Sequence, residues 1–153
     1  MKLYSASLIM LFSMVFNYYC LSSFPINMKE QGDAQKVKQL VIEAVEYNGW
    51  VNEPDYKKEL GRLYAGTLLT DLINSVEQFR NESTDWHTLT SASKCHIVYN
   101  DGNTALVLAY LLETNPEGSV TGQWLTAFKL HNTPDGWRIT HNEIIWPLLE
   151  YKA

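Results

Sequence analysis

The chain has 153 residues, with 12 Lys and Arg residues against 17 Asp and Glu residues, which gives a formal net charge of −5. Proteins that bind nucleic acid cluster basic residues to displace the counterions of the phosphates, and no such cluster is present, so the sequence excludes nucleic acid as a partner. Without its apolar N-terminus the chain keeps about 130 residues, enough for one domain with one hydrophobic core.

The N-terminal segment predicts export. Lys2 precedes an apolar run over residues 8–16, and no charged residue follows until Lys29. This pattern is typical of a secretory leader, here residues 1–24. The run is shorter than the roughly 20 apolar residues that cross a bilayer. Three fates remain open: a cleaved signal peptide, a lipid anchor on Cys20 as in bacterial lipoproteins, or an uncleaved membrane anchor. Each of these places the rest of the chain in the cell envelope or outside the cell. The remaining alternative is that the segment forms a buried N-terminal helix of a cytosolic protein.

The next part of the chain predicts three helices. Residues 25–32 predict a flexible linker, and Asp33 can cap the first helix. Pro54 suits the first turn of the second helix, and residues 65–67 break the chain before the third. Apolar residues recur at spacings of three and four in each helix: Val37, Leu40, Val41 and Ala44 in the first; Tyr56, Leu60, Leu63 and Tyr64 in the second; Leu69, Leu72, Ile73, Val76 and Phe79 in the third.

The remainder predicts four strands. Asp101 and Gly102 indicate a two-residue hairpin turn, because this pair tolerates the positive φ angles that the turn requires. Residues 115–118 and 133–136 indicate two further turns. The apolar run at residues 105–114 is typical of a central strand covered on both faces. Residues 33–153 therefore predict one α+β domain, with three N-terminal helices packed on a four-stranded antiparallel meander sheet.

The last strand begins with a Gly-Trp-x-Ile sequence at Gly136, Trp137 and Ile139, directly after a tight turn. Taken with the order of the helices and the meander of strands, this motif makes residues 33–145 resemble the nuclear transport factor 2-like superfamily. That superfamily includes ketosteroid isomerase-like and SnoaL-like proteins. The resemblance implies a strongly curved sheet around the helices, a conical pocket between them, and a homodimer through the outer sheet face. Because this superfamily includes enzymes, binding modules and secretion-machine scaffolds, the fold alone does not select a function.

One candidate catalytic pair lies in the last strand. Strand alternation places His141 and Glu143 on the same face as Trp137 and Ile139. Histidine is the commonest general base in enzymes, so His141 is the candidate base and Glu143 the carboxylate that orients it. The alternative is that the strand bends away from the core and leaves both side chains at a solvated rim.

Aromatic residues in the strands are the candidate ligand-binding residues. Trp124 and Phe128 lie on one face of the third strand, and Tyr110 lies in the second strand. Together they could line a pocket for an apolar ligand, or they could fill the core.

One face of the central hairpin is small and apolar, and the sequence does not decide whether it lies on the outer or the inner side of the sheet. With a two-residue turn at residues 101–102, a small apolar face results, which carries His96, Val98, Ala105, Val107 and Ala109. Such a face suits either a flat protein contact on the outside of the sheet or an inner face closed by the helices.

No cofactor or metal is expected. The four histidines show none of the close spacings of zinc sites, and no glycine-rich phosphate loop follows a strand. Cys95, the one cysteine beyond the leader, is interpreted as a small buried side chain.

Three functional hypotheses follow. The favoured one is an exported or membrane-tethered accessory domain that binds a protein partner or a small apolar ligand without catalysis. The second is a small-molecule isomerase or dehydratase that uses His141 and Glu143. The third is a scaffold subunit of an envelope secretion or conjugation machine, which would require an uncleaved N-terminal anchor.

Overall fold

Three α-helices precede four antiparallel strands in the computed structural model, which describes residues 28–81 and 88–150, and side chains within residues 33–81 and 88–145. The helices are α1 (Met28–Glu46), α2 (Tyr56–Leu63) and α3 (Gly66–Asn81), with a 3-10 turn at Gly49–Val51. The strands are β1 (Leu89–Asn100), β2 (Thr104–Thr114), β3 (Val120–Thr133) and β4 (Gly136–Glu150), in the sheet order β1-β2-β3-β4. The predicted α+β class and the meander are confirmed. Apart from the first four residues of α1, the features below belong to the unit Gly32–Ala153. The predicted leader, residues 1–24, lies outside the described residues.

The first helix begins earlier than predicted. Residues 28–32, assigned from the sequence to a linker, are helical, and α1 starts at Met28 rather than after Asp33. Met, Lys, Glu and Gln are all good helix formers, and they occupy four of the five positions concerned. Favourable helix propensity therefore extends the helix past the predicted cap.

The hydrophobic core lies between the helices and the inner face of the sheet. Helical spacing on α1 and α2 and strand alternation on β2, β3 and β4 each turn one apolar row inward. Trp137 and Ile139 were predicted to be core residues, and their exposed fractions of 7% and 0% confirm this. The largest fully buried side chains are Leu63, Leu130, Ile139, Val37, Val41 and Val107.

The junction between α2 and α3 is attached to the start of β4. The Ala65 backbone N donates a hydrogen bond to the Ile139 carbonyl oxygen at 2.9 Å, and Tyr64 forms a parallel bridge with Ile139. The Arg138 Nε donates to the Gly61 carbonyl oxygen at 3.1 Å. Gly66 then starts α3 at a φ of 69°, which glycine adopts without steric cost. These bonds fix where the two helices lie on the sheet.

Strand β4 is bulged three times against β3. Its register with β3 passes over Thr140, Ile145 and Leu148. A bulge places two residues opposite one, bends the strand and reverses the alternation of the side chains beyond it. After the bulge at Thr140, Asn142 rather than His141 therefore continues the inner row that Ile139 belongs to.

The hairpin between β1 and β2 differs from the predicted two-residue turn. Three residues, 101–103, connect the strands, and the Asp101 Oδ1 accepts hydrogen bonds from the backbone N of Asn103 at 2.9 Å and of Thr104 at 2.6 Å. A bulge at Val98 changes the register once more. The expectation that His96 and Val98 share the small apolar face is therefore wrong.

The small apolar face of the hairpin is an inner face. Cys95 and Ile97 pair with Ala109 and Val107 and pack against the core. Ala105, Val107 and Ala109 are fully buried. Of the two alternatives left open by the sequence, closure by the helices is the one observed.

Truncating Leu130 tests this core. We expect Leu130→Ala to reduce the free energy of unfolding by about 2–5 kcal/mol, because it opens a cavity at a fully buried position. Leu89 is 52% exposed, so Leu89→Ala is the matched control and should change it by less than about 0.5 kcal/mol. Urea unfolding measures both, and equal losses would contradict the described orientation of β3.

Candidate ligand-binding cavity

A cavity of about 560 Å³ lies between the helices and the inner sheet face. Six aromatic side chains form much of its wall: Tyr47, Trp50, Tyr64, Phe79, Trp124 and Phe128. Aliphatic side chains complete the apolar part, among them Leu60, Leu72, Val76, Leu111 and Ile144. The volume and the lining fall within the range of small-molecule sites.

The polar side-chain groups of the described lining are hydroxyls, one amide and two indole N–H groups. Among the described lining residues there is no Asp, Glu, Lys, Arg, His or Cys; the polar groups belong to Tyr47, Trp50, Tyr64, Ser75, Thr90, Trp124, Thr126 and Asn142. Proton transfer to a substrate usually requires a titratable side chain within hydrogen-bond reach. The described lining supplies instead apolar contact and a few hydrogen-bonding groups.

Three of the hydroxyls already have acceptors within the protein. Tyr64 Oη donates to the Ala44 carbonyl oxygen at 3.0 Å, and Ser75 Oγ donates to the Asp71 carbonyl oxygen at 2.9 Å. Tyr47 Oη donates to the Glu53 carboxylate at 3.0 Å. Burial raises the pKa of Tyr64 to about 12. Burial, followed by the hydrogen bond to Glu53, raises the pKa of Tyr47 to about 12. Both phenols are therefore neutral at physiological pH.

Thr126 is different. It lines the cavity from β3 between Trp124 and Phe128, its side chain is almost completely buried, and its Oγ1 has no hydrogen-bond partner among the described residues. A buried hydroxyl without a partner costs about 1–3 kcal/mol of stability. Thr121 Oγ1, in the same strand, likewise has no hydrogen-bond partner among the described residues, and neighbouring atoms cover both oxygens almost completely.

One wall of the cavity depends on an arginine that the sequence analysis did not single out. Trp50, in the 3-10 turn, packs edge-on against Phe79 of α3 with ring centroids 5.2 Å apart. Arg80 Nε donates to the Trp50 carbonyl oxygen at 2.7 Å and Nη2 to the Glu53 carbonyl oxygen at 2.7 Å. Its guanidinium also lies 4.0 Å from the centre of the Tyr56 ring. Arg80 therefore attaches the segment that carries Trp50 to the end of α3.

The same two aromatic side chains also line a second space. This space, of about 600 Å³, reaches Thr88 and Leu89 at the start of β1. Trp50 and Phe79 therefore contribute to the lining of both spaces. The position of Trp50 depends on the 3-10 turn that Arg80 holds.

His141 and Glu143 do not line the cavity. Both side chains are exposed, and their partners across the strand are Lys129 and Ala127. The prediction that they face the core is wrong, because the bulge at Thr140 reverses the alternation that the prediction assumed.

Two of the three aromatic candidates line the cavity. Trp124 is half-buried and Phe128 is buried, and both belong to its wall. Tyr110 lies on the opposite face of the sheet, where it contributes to a shallow depression with Ser93 and His96. Its placement as a cavity residue is wrong because its neighbours in β2, Ala109 and Leu111, occupy the inner face and alternation turns Tyr110 outward.

The described residues contain no metal-binding cluster and no helix suited to cross a bilayer, and their one cysteine is a poor nucleophile. In residues 28–81 and 88–150, no group of three or more His, Cys, Asp or Glu side chains converges on one point. Cys95 is half-buried and free, and burial raises the pKa of its thiol, which disfavours the nucleophilic thiolate. Over the described residues, no helix has both the length and the apolar composition needed to cross a bilayer.

Solved structures share this fold at low sequence identity. The intermembrane-space region of the chloroplast protein ARC6 matches with a TM-score of 0.53 and 17% identity, over 72% of this chain and 95% of that one. A Nostoc punctiforme protein of unknown function with a cystatin-like fold matches with a TM-score of 0.53 and 14% identity, over 72% and 90% of the two chains. No protein-family model and no curated protein matches. At these identities the similarity is evidence for the fold and not for a function. The helices and the four-stranded sheet are consistent with a cystatin-like fold.

Removing Arg80 should loosen the wall of the cavity. We expect Arg80→Ala to reduce the free energy of unfolding by about 1–3 kcal/mol, because two backbone carbonyls lose charge-assisted hydrogen bonds and Tyr56 loses its cation contact. Arg62 pairs with the surface carboxylates Glu43 and Glu59, so Arg62→Ala is the control and should cost no more than about 1 kcal/mol. Urea unfolding compares the two variants. A larger loss of unfolding free energy in Arg62→Ala than in Arg80→Ala would contradict the structural role assigned to Arg80.

The buried phenol of Tyr64 predicts a pH dependence above pH 10. Its pKa rises from 10.0 to about 12 on folding, so between these values the unfolded chain loses a proton that the folded chain keeps. Stability from this group is complete below pH 10 and declines as the pH rises towards 12. Between pH 9 and pH 11 we expect Tyr64 to account for about 1 kcal/mol of the decrease in the free energy of unfolding. The Tyr64→Phe variant should lack this part of the decrease. Urea unfolding of both proteins at pH 9 and pH 11 measures the decrease. An equal decrease in the wild-type protein and in the variant would contradict the prediction.

Proposed function

We propose that this domain binds small, apolar, uncharged molecules in the cavity between its helices and its sheet, and that it does so without catalysing a reaction. The observation that carries the proposal is a cavity of about 560 Å³ whose described lining is mainly aromatic and aliphatic. Sites that hold small molecules have this size and this balance of many apolar and few polar groups.

The lining also restricts the charge of the ligand. Transferring a charged group from water into an apolar site is costly unless an opposite charge meets it there. The described lining has no such charge, and its two phenols, Tyr47 and Tyr64, are neutral at physiological pH because their pKa values are raised to about 12. The part of the ligand that enters is therefore neutral.

The alternative functions have less support. The isomerase or dehydratase hypothesis was based on His141 and Glu143 facing a pocket, and both side chains are exposed outside it. The scaffold hypothesis and the binding of a protein partner remain predictions. Export, with or without a membrane tether, is a proposal supported by the leader pattern of residues 1–24.

Membership of the nuclear transport factor 2-like superfamily also remains a prediction, and so does the homodimer through the outer sheet face. The support for the superfamily is the order of helices and strands together with the Gly-Trp-x-Ile start of β4. The outer face of β2 carries Leu106, Leu108 and Tyr110, which alternate with buried residues. Size-exclusion chromatography of the full chain tests the dimer.

Filling the cavity tests the proposed function. The uncharged fluorophore N-phenyl-1-naphthylamine emits strongly in apolar surroundings and is titrated into the full-length protein. We expect saturable enhancement of its emission with the wild-type protein. Leu111 lines the cavity from the inner face of β2, so Leu111→Trp should occupy the site and weaken binding by at least about tenfold, because the added ring displaces the ligand.

Two controls separate the cavity from other surfaces. Leu108 lies on the same strand, is also half-buried and belongs to the opposite face, so Leu108→Trp should leave the affinity unchanged. His141→Ala should do the same, since His141 lies outside the cavity. Absence of saturable binding to the wild-type protein, or equal weakening by both tryptophan variants, would overturn the proposal.

A further inference from the structure

The exposed part of the cavity lining belongs to two elements, α3 and β4. Of the described lining residues, Ser75 on α3 and Asn142 and Ile144 on β4 are exposed, whereas the others are buried or half-buried. Strand β4 is an edge strand of the sheet, and α3 packs against it. The mouth of the cavity therefore lies between Ser75 and this edge strand.

We infer that the cavity takes an elongated amphiphile, an apolar chain with one uncharged polar head such as a hydroxyl, whose head stays at the mouth beside Asn142. The chain lies inside, against the aromatic and aliphatic side chains of the wall. This inference rests on the proposed function and adds to it the class of ligand and the direction in which the ligand lies.

An apolar side chain at the mouth favours a ligand that is long enough to reach it. Ile144 lines the cavity and is nevertheless 60% exposed. Removing apolar surface from water is favourable in proportion to the area that is covered. A chain that extends from the inner wall to Ile144 therefore binds more tightly than a ligand that is confined to the interior.

The polar groups of the mouth suit a hydroxyl or amide head. The Asn142 amide offers two donors and an acceptor. Ser75 Oγ donates to the Asp71 carbonyl oxygen at 2.9 Å, and its own oxygen can still accept a hydrogen bond. Deeper in the cavity, the hydroxyls of Tyr47 and Tyr64 already donate within the protein. A polar head at the mouth also keeps part of its hydration, which it would lose further inside.

The lining disfavours a charged head of either sign. The described lining contains no Lys, Arg or His that could meet a carboxylate, and no Asp or Glu that could meet an ammonium group. A charged head would therefore lose part of its hydration at the mouth without gaining an opposite charge from the lining. Long-chain alcohols are thus expected to bind more tightly than the fatty acids or amines with the same chain.

Three ligands with the same chain test the nature of the head. 1-Decanol, decanoate and decylammonium compete with N-phenyl-1-naphthylamine for the full-length protein at pH 8, where the latter two are charged. The loss of fluorescence gives the affinity for each ligand. We expect 1-decanol to bind the wild-type protein at least about fivefold more tightly than either ion, because neither ion meets an opposite charge in the described lining.

A lysine placed at the mouth tests where the head lies. Asn142→Lys should raise the affinity for decanoate relative to that for 1-decanol about threefold, which is the effect of a partly exposed ion pair. His141 precedes Asn142 but lies on the opposite face of the sheet, opposite Lys129. His141→Lys is therefore the matched control and should leave the ratio of the two affinities unchanged.

Two adjacent isoleucines test how far the chain reaches. Ile144→Ser should weaken 1-decanol about threefold, because the chain no longer covers apolar surface at the mouth. Ile145 is similarly exposed, at 49%, but does not belong to the described lining. Ile145→Ser should therefore leave the affinity for 1-decanol unchanged.

The outcomes separate the inference from the proposed function. Tightest binding of 1-decanol, with a relative gain for decanoate in Asn142→Lys and not in His141→Lys, supports the inference. The inference is overturned, and the proposed function stands, if the fluorophore binds but 1-decanol displaces it no better than the two ions do. The same conclusion follows if each variant behaves like its neighbouring control. Failure of the fluorophore to bind the wild-type protein overturns the inference and the proposed function together.

Discussion

The alternation of side chains along four long strands, reset at each bulge, is the constraint on which the rest of this structure depends. In an antiparallel sheet with one covered face, each register step decides which residues meet the helices. Strand β4 resets its alternation against β3 at Thr140 and twice more, and β1 does so against β2 at Ser93 and at Val98. The composition of the inner face, and hence of the core and of the cavity, follows from these few positions.

The same strands lead from a filled core to an open cavity. Along β3, Leu130 and Phe128 are buried, whereas Trp124, nearer the start of the strand, is half-buried at the cavity wall. At the filled end, the hydrogen bond from Ala65 to Ile139 attaches the α2–α3 junction to β4. The helices are thus held closely at one end of the sheet, and the space at the other end is lined by large aromatic side chains.

The chemistry of that space is binding chemistry. Its described lining carries hydroxyls and apolar surface, and two charged side chains, Glu53 and Arg80, bond to groups of its wall. Glu53 accepts a hydrogen bond from Tyr47, and Arg80 bonds the carbonyl oxygens of Trp50 and Glu53. These charges position the wall of the cavity and are not part of its described lining.

The sequence by itself determined the local elements. Apolar spacings of three and four specified the helices, alternation and tight turns specified the strands, and the start of β4 placed Trp137 and Ile139 in the core, because such patterns reflect interactions between residues close in the chain. Only the tertiary structure decided the faces beyond the bulges at Val98 and Thr140. A bulge depends on the partner strand and on the curvature needed to cover the helices, and neither is encoded in the spacing of one strand. For this reason His141 lies outside the cavity, whereas Thr126 lies on the inner face of β3 that unbroken alternation with Trp124 and Phe128 assigns to it.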